Sequence, residues 1–329
     1  MNDNDLVQAA AFLRQSRHRM IEQIEKVIVG QTVAVDAVVT ACFAGGHCLL
    51  IGPSGVAKTS LVNAVSRSLD LTFNRIQFTA DLMPSDILGS KVLFKDPDDR
   101  RRLEFEKGPI FTNLLLADEI NRATPRTQSA LLQAMAEQKV SFDGQDYELE
   151  PPFCVFGTQN PLDGEGTYPL PEAQLDRFLF SVDIRYPEFV DEIEIIRRAT
   201  TQPSVSVEPV MHRLDVLKCM ALVRQVGVSD IVLDYVARLV RATRPDDDAA
   251  PRMIRQYIRT GGGPRSGIGI VRAAQARALL EGRSCVESSD VAYVASAVLQ
   301  HRCVINFDGH AEGVDASSIV EGLLRLVSP

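Results

Sequence analysis

The stretch LLIGPSGVAKTSLV, Leu49 to Val62, decides the fold, because it runs an apolar strand into a glycine-bearing turn and then into a helix. Its spacing approaches the phosphate-binding pattern G-x-x-x-x-G-K-[ST], with Gly52, Lys58 and Thr59 in their places and Ala57 where the second glycine belongs. Backbone N–H groups of such a loop, and the N-terminus of the helix after it, point at a bound anion. The stretch therefore predicts a phosphate site, with an ordinary strand-to-helix turn as the alternative.

Different residues of this loop are expected to contact different parts of a bound triphosphate. We expect the Lys58 ammonium to reach the β- and γ-phosphates and the Thr59 hydroxyl to ligate Mg²⁺. Gly52 and Gly55 allow backbone conformations that a side chain would obstruct. Ala57 adds only one methyl group and favours the helix that begins there. The residues expected to bind the nucleotide phosphates are Gly52, Pro53, Ser54, Gly55, Val56, Ala57, Lys58, Thr59 and Ser60.

The composition of the chain limits the classes of protein in which this loop could function. The 329 residues are 45% apolar and 24% charged, the profile of a globular chain long enough for two domains. A formal net charge of −8, without a long Lys/Arg run, disfavours nucleic acid as a partner. No apolar stretch approaches the roughly 18 residues that span a membrane, and the acidic start MNDNDL is unlike a secretion signal. We therefore expect a cytoplasmic protein with no membrane span.

The cysteines and histidines show no metal-binding spacing. No two cysteines form a C-x-x-C pair, and the histidines form no H-E-x-x-H motif. Because the cysteines are scattered and mostly lie in apolar runs, we expect small buried thiols rather than disulfides or a metal site. The residues are Cys42, Cys48, Cys154, Cys219, Cys285 and Cys303.

Hydrophobic periodicity changes character near Pro187. Before it, five short apolar runs alternate with helical stretches, which predicts a parallel, doubly wound sheet: HCLLIG, LTFNRIQF, NLLLAD, FCVFGTQN and FLFSVDI. An amphipathic helix before Gly46 is expected on the flank of this sheet. After Pro187 helix-period segments dominate. We predict an α/β nucleotide-binding core over residues 1–187 and an α-helical domain over residues 188–329.

Polar residues follow two further strands of the predicted sheet. Asp118 and Glu119 end the buried strand of NLLLADEINRA, at the edge where α/β sheets bind ligands. We expect Asp118 to hold hydrated Mg²⁺ and Glu119 to polarise the attacking water. Asn160 ends the strand of FCVFGTQNP and would lie between the loop and these acids. Each feature alone is compatible with a solvated turn, but together they predict a nucleoside triphosphatase site.

Longer stretches resemble the MoxR-type AAA+ ATPases, of the helix-2-insert group, over nearly the whole chain from Val29 onward. The matching motifs are GPSGVAKTSL, FTADLMPSDILGS, GPIFTNLLLADEINRATPRTQSALLQAMAEQ, GTQNPLDGEGTYPLPEAQLDRFLF and GGGPRSGIGIVRAAQARALLEGR. Alanine before the loop lysine is common in such proteins. The resemblance implies an AAA+ P-loop core with a parallel five-stranded sheet of order 5-1-4-3-2, followed by an all-α lid domain.

The same resemblance assigns roles to single residues. It implies that IVGQ, which includes Gly30 and Gln31, borders the adenine. Asn160 would be sensor 1, Arg177 in LDRF the arginine finger, and Arg265 in GPRS sensor 2 at the head of a lid helix. A planar arginine cation from a neighbouring subunit offsets charge that grows in the transition state. Arg265 follows a glycine run that we expect to be flexible, so it could report the nucleotide state by moving the helical domain.

Two insertions in the core are expected to be β-hairpins. LGSKVLFKDPDDRRRLEFEKGPIF alternates apolar residues around the turn DPDD, and KVSFDGQDYELEPP turns at Asp143-Gly144. The resemblance would place both near the pore of a ring. Arg100, Arg101 and Arg102 at the tip of the first hairpin are also compatible with a solvated turn.

The resemblance implies a ring, six-membered by the family's habit, that hydrolyses ATP with Mg²⁺ and remodels or matures a client protein. A partner with a von Willebrand factor A domain often accompanies such proteins. Two alternatives remain open on the sequence, a nucleic-acid translocase and a scaffold that binds ATP without turnover. The net charge disfavours the first, and Glu119, Asn160 and Arg177 disfavour the second.

Overall fold

The computed structural model describes residues 3–95, 101–162, 164, 166–201 and 205–329. The strands in chain order are β1 (Cys48–Ile51), β2 (Phe73–Gln77), β3 (Gly89–Lys95), β4 (Arg101–Lys107), β5 (Leu114–Asp118), β6 (Lys139–Phe142), β7 (Gln145–Glu148), β8 (Cys154–Gln159), β9 (Phe180–Asp183), β10 (Ile258–Thr260) and β11 (Val304–Ile305). The helices are α1 (Asp3–Glu25), α2 (Thr32–Ala44), α3 (Lys58–Ser68), α4 (Pro84–Leu88), α5 (Pro125–Glu137), α6 (Glu172–Leu175), α7 (Phe189–Thr201), α8 (Arg213–Val223), α9 (Asp230–Ala242), α10 (Arg252–Tyr257), α11 (Pro264–Leu280), α12 (Ser288–Leu299), α13 (Phe307–Ala311) and α14 (Ala316–Leu326).

Five parallel strands form the central sheet, in the order β2-β5-β8-β1-β9. Numbered among themselves along the chain, these strands read 5-1-4-3-2 from the β9 edge. The predicted fold class and strand order are therefore confirmed.

Alternate residues of each central strand enter different hydrophobic cores, because successive strand side chains point to opposite faces. Leu50 packs into the core that contains α1 to α3 and the later helices, whereas its neighbour Leu49 packs into the core beneath α5. Leu116 and Leu115 divide in the same way. Both faces of the sheet are thus covered, which explains the almost uninterrupted apolar runs in the sequence.

Helices dominate the chain after β9, as the periodicity predicts. The first helix, α1, packs against α3 on the sheet but also against α8 and α11 of the later part. It therefore joins the sheet layer to the C-terminal helices rather than only covering a flank. None of the helices in the described ranges is both long and apolar enough to cross a membrane.

Both predicted hairpins are present. Strands β3 and β4 pair in antiparallel fashion, as do β6 and β7, and Asp143 and Gly144 take the positive φ values of 52° and 77° that a tight hairpin turn requires. The hairpins touch each other where the Phe105 ring stacks on Phe142, with centroids 4.7 Å apart. The DPDD turn and Arg100 lie outside the described residues, while Arg101 and Arg102 begin β4.

The expectation for the cysteines holds for five of the six. Those five are buried and all six are free thiols, but Cys285 is exposed. It lies in the turn between α11 and α12, where an isolated bridge pairs it with Gly227.

Candidate functional site

Three sequence motifs meet at the carboxyl edge of the central sheet. The phosphate loop follows β1, Asp118 ends β5, and Asn160 follows β8, which lies between those two strands. The Gly52 N–H donates to the Gln159 carbonyl at 3.0 Å, so the loop begins beside the end of β8. The predicted juxtaposition is therefore present, at the edge where parallel α/β sheets bind their ligands.

The phosphate loop wraps around its own lysine. Lys58 Nζ donates to the carbonyl oxygens of Gly52 and Pro53, at 2.5 Å and 3.1 Å. Gly52 is needed there because a Cβ at that position would lie 2.3 Å from the Ile184 carbonyl oxygen. Gly55 has a φ of 86°, a region that favours glycine. The Lys58 ammonium is thus held against the loop backbone, at glycine positions where a side chain would clash or strain the backbone.

Ala57 lies just before the first residue of α3 in the left-handed region, with φ 63° and ψ 23°. The expectation that its methyl group favours the helix is therefore wrong, because the residue is not helical. Its Cβ crowds the following carbonyl group, and that conformation costs about 1 kcal/mol or more for a non-glycine residue. The loop accepts this strain and keeps the shape that glycine would give it.

Asp118 is buried and both of its carboxylate oxygens are engaged. Oδ1 accepts the Thr158 hydroxyl at 2.5 Å, and Oδ2 accepts two hydrogen bonds from Arg75, from Nη2 at 2.6 Å and Nε at 3.0 Å. The Thr158 hydroxyl in turn accepts the Glu119 backbone N–H at 2.8 Å. The carboxylate is therefore held in a fixed orientation and faces a cation.

Glu119 adopts left-handed backbone angles, with φ 56° and ψ 49°. Strain of this kind costs about 1–3 kcal/mol and is typical of functional sites. Its carboxylate Oε2 accepts the Gln77 side-chain amide at 2.8 Å and lies 3.0 Å from Arg122 Nε. Two donors thus hold Glu119 at the edge of the sheet, next to Asp118.

Arg75 and Gln77 were not predicted as site residues. They alternate along β2, which pairs with β5 so that Gln77 lies beside Asp118. A strand covered on both faces in a parallel sheet is normally apolar throughout. The polar residues in FNRIQ were therefore the signal in the sequence that this edge strand faces a charged site.

Asn160 lies in the gap between the phosphate loop and the two acids, as expected. Its side-chain oxygen accepts the Leu162 backbone N–H at 3.2 Å, which fixes the orientation of the amide group. A side-chain amide carries both donor N–H groups and an acceptor oxygen, the two kinds of group that contact with a water molecule and a phosphate oxygen requires.

Magnesium was predicted at Thr59 and Asp118, and the donor set fits that ion. Hydroxyl and carboxylate oxygens are the hard ligands that Mg²⁺ prefers, and it is commonly held by one or two carboxylates together with substrate phosphates and water. Within the described ranges, no group of three or more His, Cys, Asp or Glu side chains is arranged to hold a metal ion. Thr59 and Asp118 would supply two oxygen ligands, and phosphate and water oxygens would supply the rest.

A cavity of about 610 Å³ opens between β9, α12 and the residues before α2. Gly30 and Gln31 line it, as do Asp183 and Arg185 at the end of β9. Gln31 Nε2 donates to the Arg185 carbonyl at 2.8 Å. Partial burial, and then the charge of Asp315, raise the pKa of Asp183. The segment expected to border the adenine therefore lines a cavity close to the phosphate loop.

Arg177 lies near the amino-terminal ends of the sheet strands, whereas the phosphate loop lies at their carboxyl ends. The Leu179 N–H donates at 2.8 Å to the carbonyl of His47, which immediately precedes β1. The phosphate loop begins at the other end of β1, about 13 Å away at the rise of a strand. Arg177 itself donates from Nη1 to the Leu132 carbonyl of α5. Its guanidinium is thus remote from the phosphate loop of its own chain.

Arg265 contacts Asp176, the residue before Arg177, rather than the phosphate loop. Its Nη1 is 3.1 Å from Asp176 Oδ2, and the other oxygen of Asp176 is 2.9 Å from the Nε of buried Arg302. Arg302 also donates to the carbonyl of Phe178 at 2.7 Å. Asp176 thus pairs with two arginines, exposed Arg265 and buried Arg302.

The first two glycines of the run before Arg265, Gly261 and Gly262, are closely packed, whereas Gly263 has open space around it. A Cβ on Gly261 would lie 2.2 Å from the Thr243 carbonyl oxygen. The Gly262 N–H donates to the Thr243 hydroxyl at 2.8 Å, and Arg244 Nε donates to the Gly262 carbonyl at 2.9 Å. These glycines permit close backbone packing against the end of α9.

Two family models match this chain. The model described as "ATPase family associated with various cellular activities (AAA)" matches residues 47–180, which contain the phosphate loop, both acids and Arg177. The "AAA lid domain" model matches residues 251–323 and contains Arg265.

Named relatives are similar over most of their length. Chaperone MoxR1 of Mycobacterium tuberculosis is 39% identical over 310 residues, covering 94% of this chain and 81% of the relative. Protein MoxR of Methylorubrum extorquens is 30% identical over 314 residues, covering 88% of each chain. The crystal structure of a candidate ATPase from Cytophaga hutchinsonii superimposes with a TM-score of 0.90 at 37% identity, covering 98% of this chain and 97% of that one.

Proposed function

This chain belongs to the MoxR-type AAA+ ATPases, and from that premise we propose that it hydrolyses ATP to ADP and phosphate with Mg²⁺. The observation that carries the proposal is the convergence of Lys58, Asp118, Glu119 and Asn160 at one edge of the sheet. No single motif supports a triphosphatase as strongly as this convergence of residues from separate strands.

The proposed roles follow from the position of each group. Lys58 and the N–H groups of the loop bind the phosphates, and Thr59 with Asp118 would hold the metal ion. When bound, Mg²⁺ would neutralise charge on the β- and γ-phosphates. Glu119 accepts a proton from the attacking water while Asn160 orients that water. In the structure, Oε2 of this carboxylate already accepts a hydrogen bond from Gln77.

The arginines are proposed to act on the nucleotide of another subunit. Arg177 and Arg265 lie on the surface around Asp176, about the length of β1 or more from their own phosphate loop. Arg177 of the partner subunit would therefore complete the site, and a finger of this kind contributes roughly 10³ to 10⁵ in rate. This arrangement supports a ring, for which we propose six subunits.

We propose that the ring remodels or matures a client protein, together with a partner that carries a von Willebrand factor A domain. The relative named Chaperone MoxR1 supports the chaperone-like part of this proposal. We also propose that residues 1–187 form the nucleotide-binding core and residues 188–329 the lid domain. The change from alternating elements to helices after β9 supports that division.

Steady-state phosphate release tests the proposal directly. The wild-type chain should release phosphate from ATP only when Mg²⁺ is present. Glu119→Gln should retain ATP binding and lose most turnover, because an amide cannot take the proton. Wild-type protein that binds ATP and Mg²⁺ without releasing phosphate at any protein concentration would instead support a scaffold that binds ATP without turnover.

A further inference from the structure

The carboxylate of Asp183 lines the cavity of about 610 Å³ at the end of β9. Phe180 and Val182 of the same strand pack into the core, so the Asp183 side chain lies on the other face of the strand. Among the residues that the structure describes, none donates a hydrogen bond to this carboxylate. Asp315 and Arg185 act on it only through their charges, and with opposite signs. The cavity wall thus contains an acceptor that no described residue satisfies.

This unpaired acceptor carries a cost in the free protein. Partial burial, and then the charge of Asp315, raise the pKa of Asp183, so its surroundings disfavour the charged carboxylate. A polar group that loses water without gaining a partner costs free energy. A ligand that brings an N–H or O–H group to Asp183 would remove that cost when it binds.

Asp183 lies beside the phosphate loop. In the sheet it pairs with Ile51, the residue before Gly52, and neighbouring strands are about 4.8 Å apart. Gln31, from the segment expected to border the adenine, donates from Nε2 to the Arg185 carbonyl at 2.8 Å. A nucleotide with its phosphates in the loop would therefore place its nucleoside in the part of the cavity that Asp183 lines.

A nucleoside carries two kinds of donor that can meet this acceptor. Adenine has an exocyclic amino group, and ribose has hydroxyl groups. Because a carboxylate only accepts hydrogen bonds, a base with a carbonyl oxygen in place of the amino group would bring two acceptors together. A site built to hydrogen-bond a substrate N–H or O–H group strongly rejects the analogue that lacks it. An unpaired carboxylate in this position therefore suits the selection of one nucleotide over another.

We infer that Asp183 determines which nucleotide the site accepts, by accepting a hydrogen bond from a donor of the nucleoside, either the amino group of adenine or a ribose hydroxyl. This role rests on the proposed binding of a nucleotide at the phosphate loop. The unpaired state of the carboxylate does not depend on that proposal.

Calorimetric titration with Mg²⁺ and three nucleoside diphosphates tests the inference. The first is ADP, the second is inosine diphosphate, in which a carbonyl oxygen replaces the amino group, and the third is the dideoxy analogue of ADP, which lacks both ribose hydroxyls. Wild type should bind one of the two analogues roughly tenfold or more weakly than ADP, because it loses a hydrogen bond to a charged group. Asp183→Ala should bind ADP more weakly by a similar factor and should lose that preference. Loss of the preference over inosine diphosphate identifies the amino group as the donor, and loss of the preference over the dideoxy analogue identifies a hydroxyl.

The matched control is Asp248→Ala, which removes an exposed carboxylate from the turn between α9 and α10 and should bind all three nucleotides like wild type. Denaturant unfolding without nucleotide separates recognition from a structural role. Asp183→Ala should have a free energy of unfolding no lower than that of wild type, because it removes an unpaired, partly buried carboxylate. A lower value would assign this carboxylate to the stability of the fold and would overturn the inference.

The binding data distinguish this inference from the proposed function. Wild type that binds ADP and both analogues equally, or Asp183→Ala that keeps every wild-type preference, overturns the inference and leaves the proposed ATPase in place. Wild type that binds none of the three nucleotides overturns both.

Discussion

Arg75 donates two hydrogen bonds to one carboxylate oxygen of Asp118, at 2.6 Å and 3.0 Å, on the residue proposed to hold Mg²⁺. The guanidinium is half exposed and Asp118 is buried. The Arg75 guanidinium thus compensates the charge of the buried Asp118 carboxylate. A metal ion bound with the nucleotide would bring a second positive charge to the same carboxylate. A metal ion held by Asp118 would compete with Arg75 for this carboxylate, which has a measurable consequence.

Arg75→Met should increase the apparent affinity for Mg²⁺ in the presence of ADP by several-fold, because the competing cation is removed. Calorimetric titration of Mg²⁺ into the ADP complex measures this without relying on turnover. The matched control is Gln77→Met, which changes the neighbouring side chain on the same strand and leaves the Arg75–Asp118 pair in place. A lower Mg²⁺ affinity in Arg75→Met would mean that Arg75 orients Asp118 for the metal rather than competing with it.

The phosphate loop offers a paired test of backbone strain. Ala57→Gly should raise the free energy of unfolding by up to about 1 kcal/mol, because the left-handed angles cost glycine nothing, although glycine also loses more entropy on folding. Gly55→Ala should lower it by about 1 kcal/mol, since no atom lies within 4 Å of the new methyl and only the backbone is strained. Denaturant unfolding without nucleotide measures both. A lower free energy of unfolding for Ala57→Gly than for wild type would refute the strain assigned to Ala57.

We expect the buried imidazole of His47 to make the protein less stable in acid. It is buried, its Nδ1 accepts the Val155 N–H at 3.0 Å, and burial lowers its pKa from 6.5 to about 4. A depressed folded-state pKa contributes stability that is present above about pH 6.5 and is lost as the pH falls toward 4. The shift corresponds to about 3 kcal/mol at most.

Denaturant unfolding at a series of pH values tests this. The wild-type free energy of unfolding should fall across that window, and His47→Gln should have a shallower slope there although it is less stable at neutral pH. The matched substitution His18→Gln also removes one histidine, but at an exposed position. A His47→Gln slope as steep as that of wild type would assign the acid sensitivity to other groups.

The sequence predicted those parts of the molecule that depend on local pattern. Apolar runs and turn residues gave the five strands, and the Asp143-Gly144 turn gave a hairpin, because each signal lies within a few adjacent residues. The phosphate loop and Asp118 could be placed together since parallel strands end at one edge.

Features that depend on contacts distant in the chain were missed. The hydrogen bond from Gln77 to Glu119 joins residues 42 positions apart, and that from Arg302 to Asp176 spans 126 positions. The packing of the Gly261 region on Thr243 was also missed, because a glycine run is compatible with both flexibility and close approach. No local pattern records which distant backbone lies beside it.

Mixing two inactive variants tests most directly whether one chain completes the site of another. Lys58→Ala should fail to bind nucleotide, and Arg177→Ala should bind ATP yet hydrolyse it slowly. In a mixed ring, an Arg177→Ala subunit with an intact phosphate loop meets an intact Arg177 on a Lys58→Ala neighbour. The account predicts that phosphate release in the mixture exceeds the sum of the two separate variants, with a maximum at intermediate ratios. No recovery at any ratio, from variants that still assemble, would contradict it.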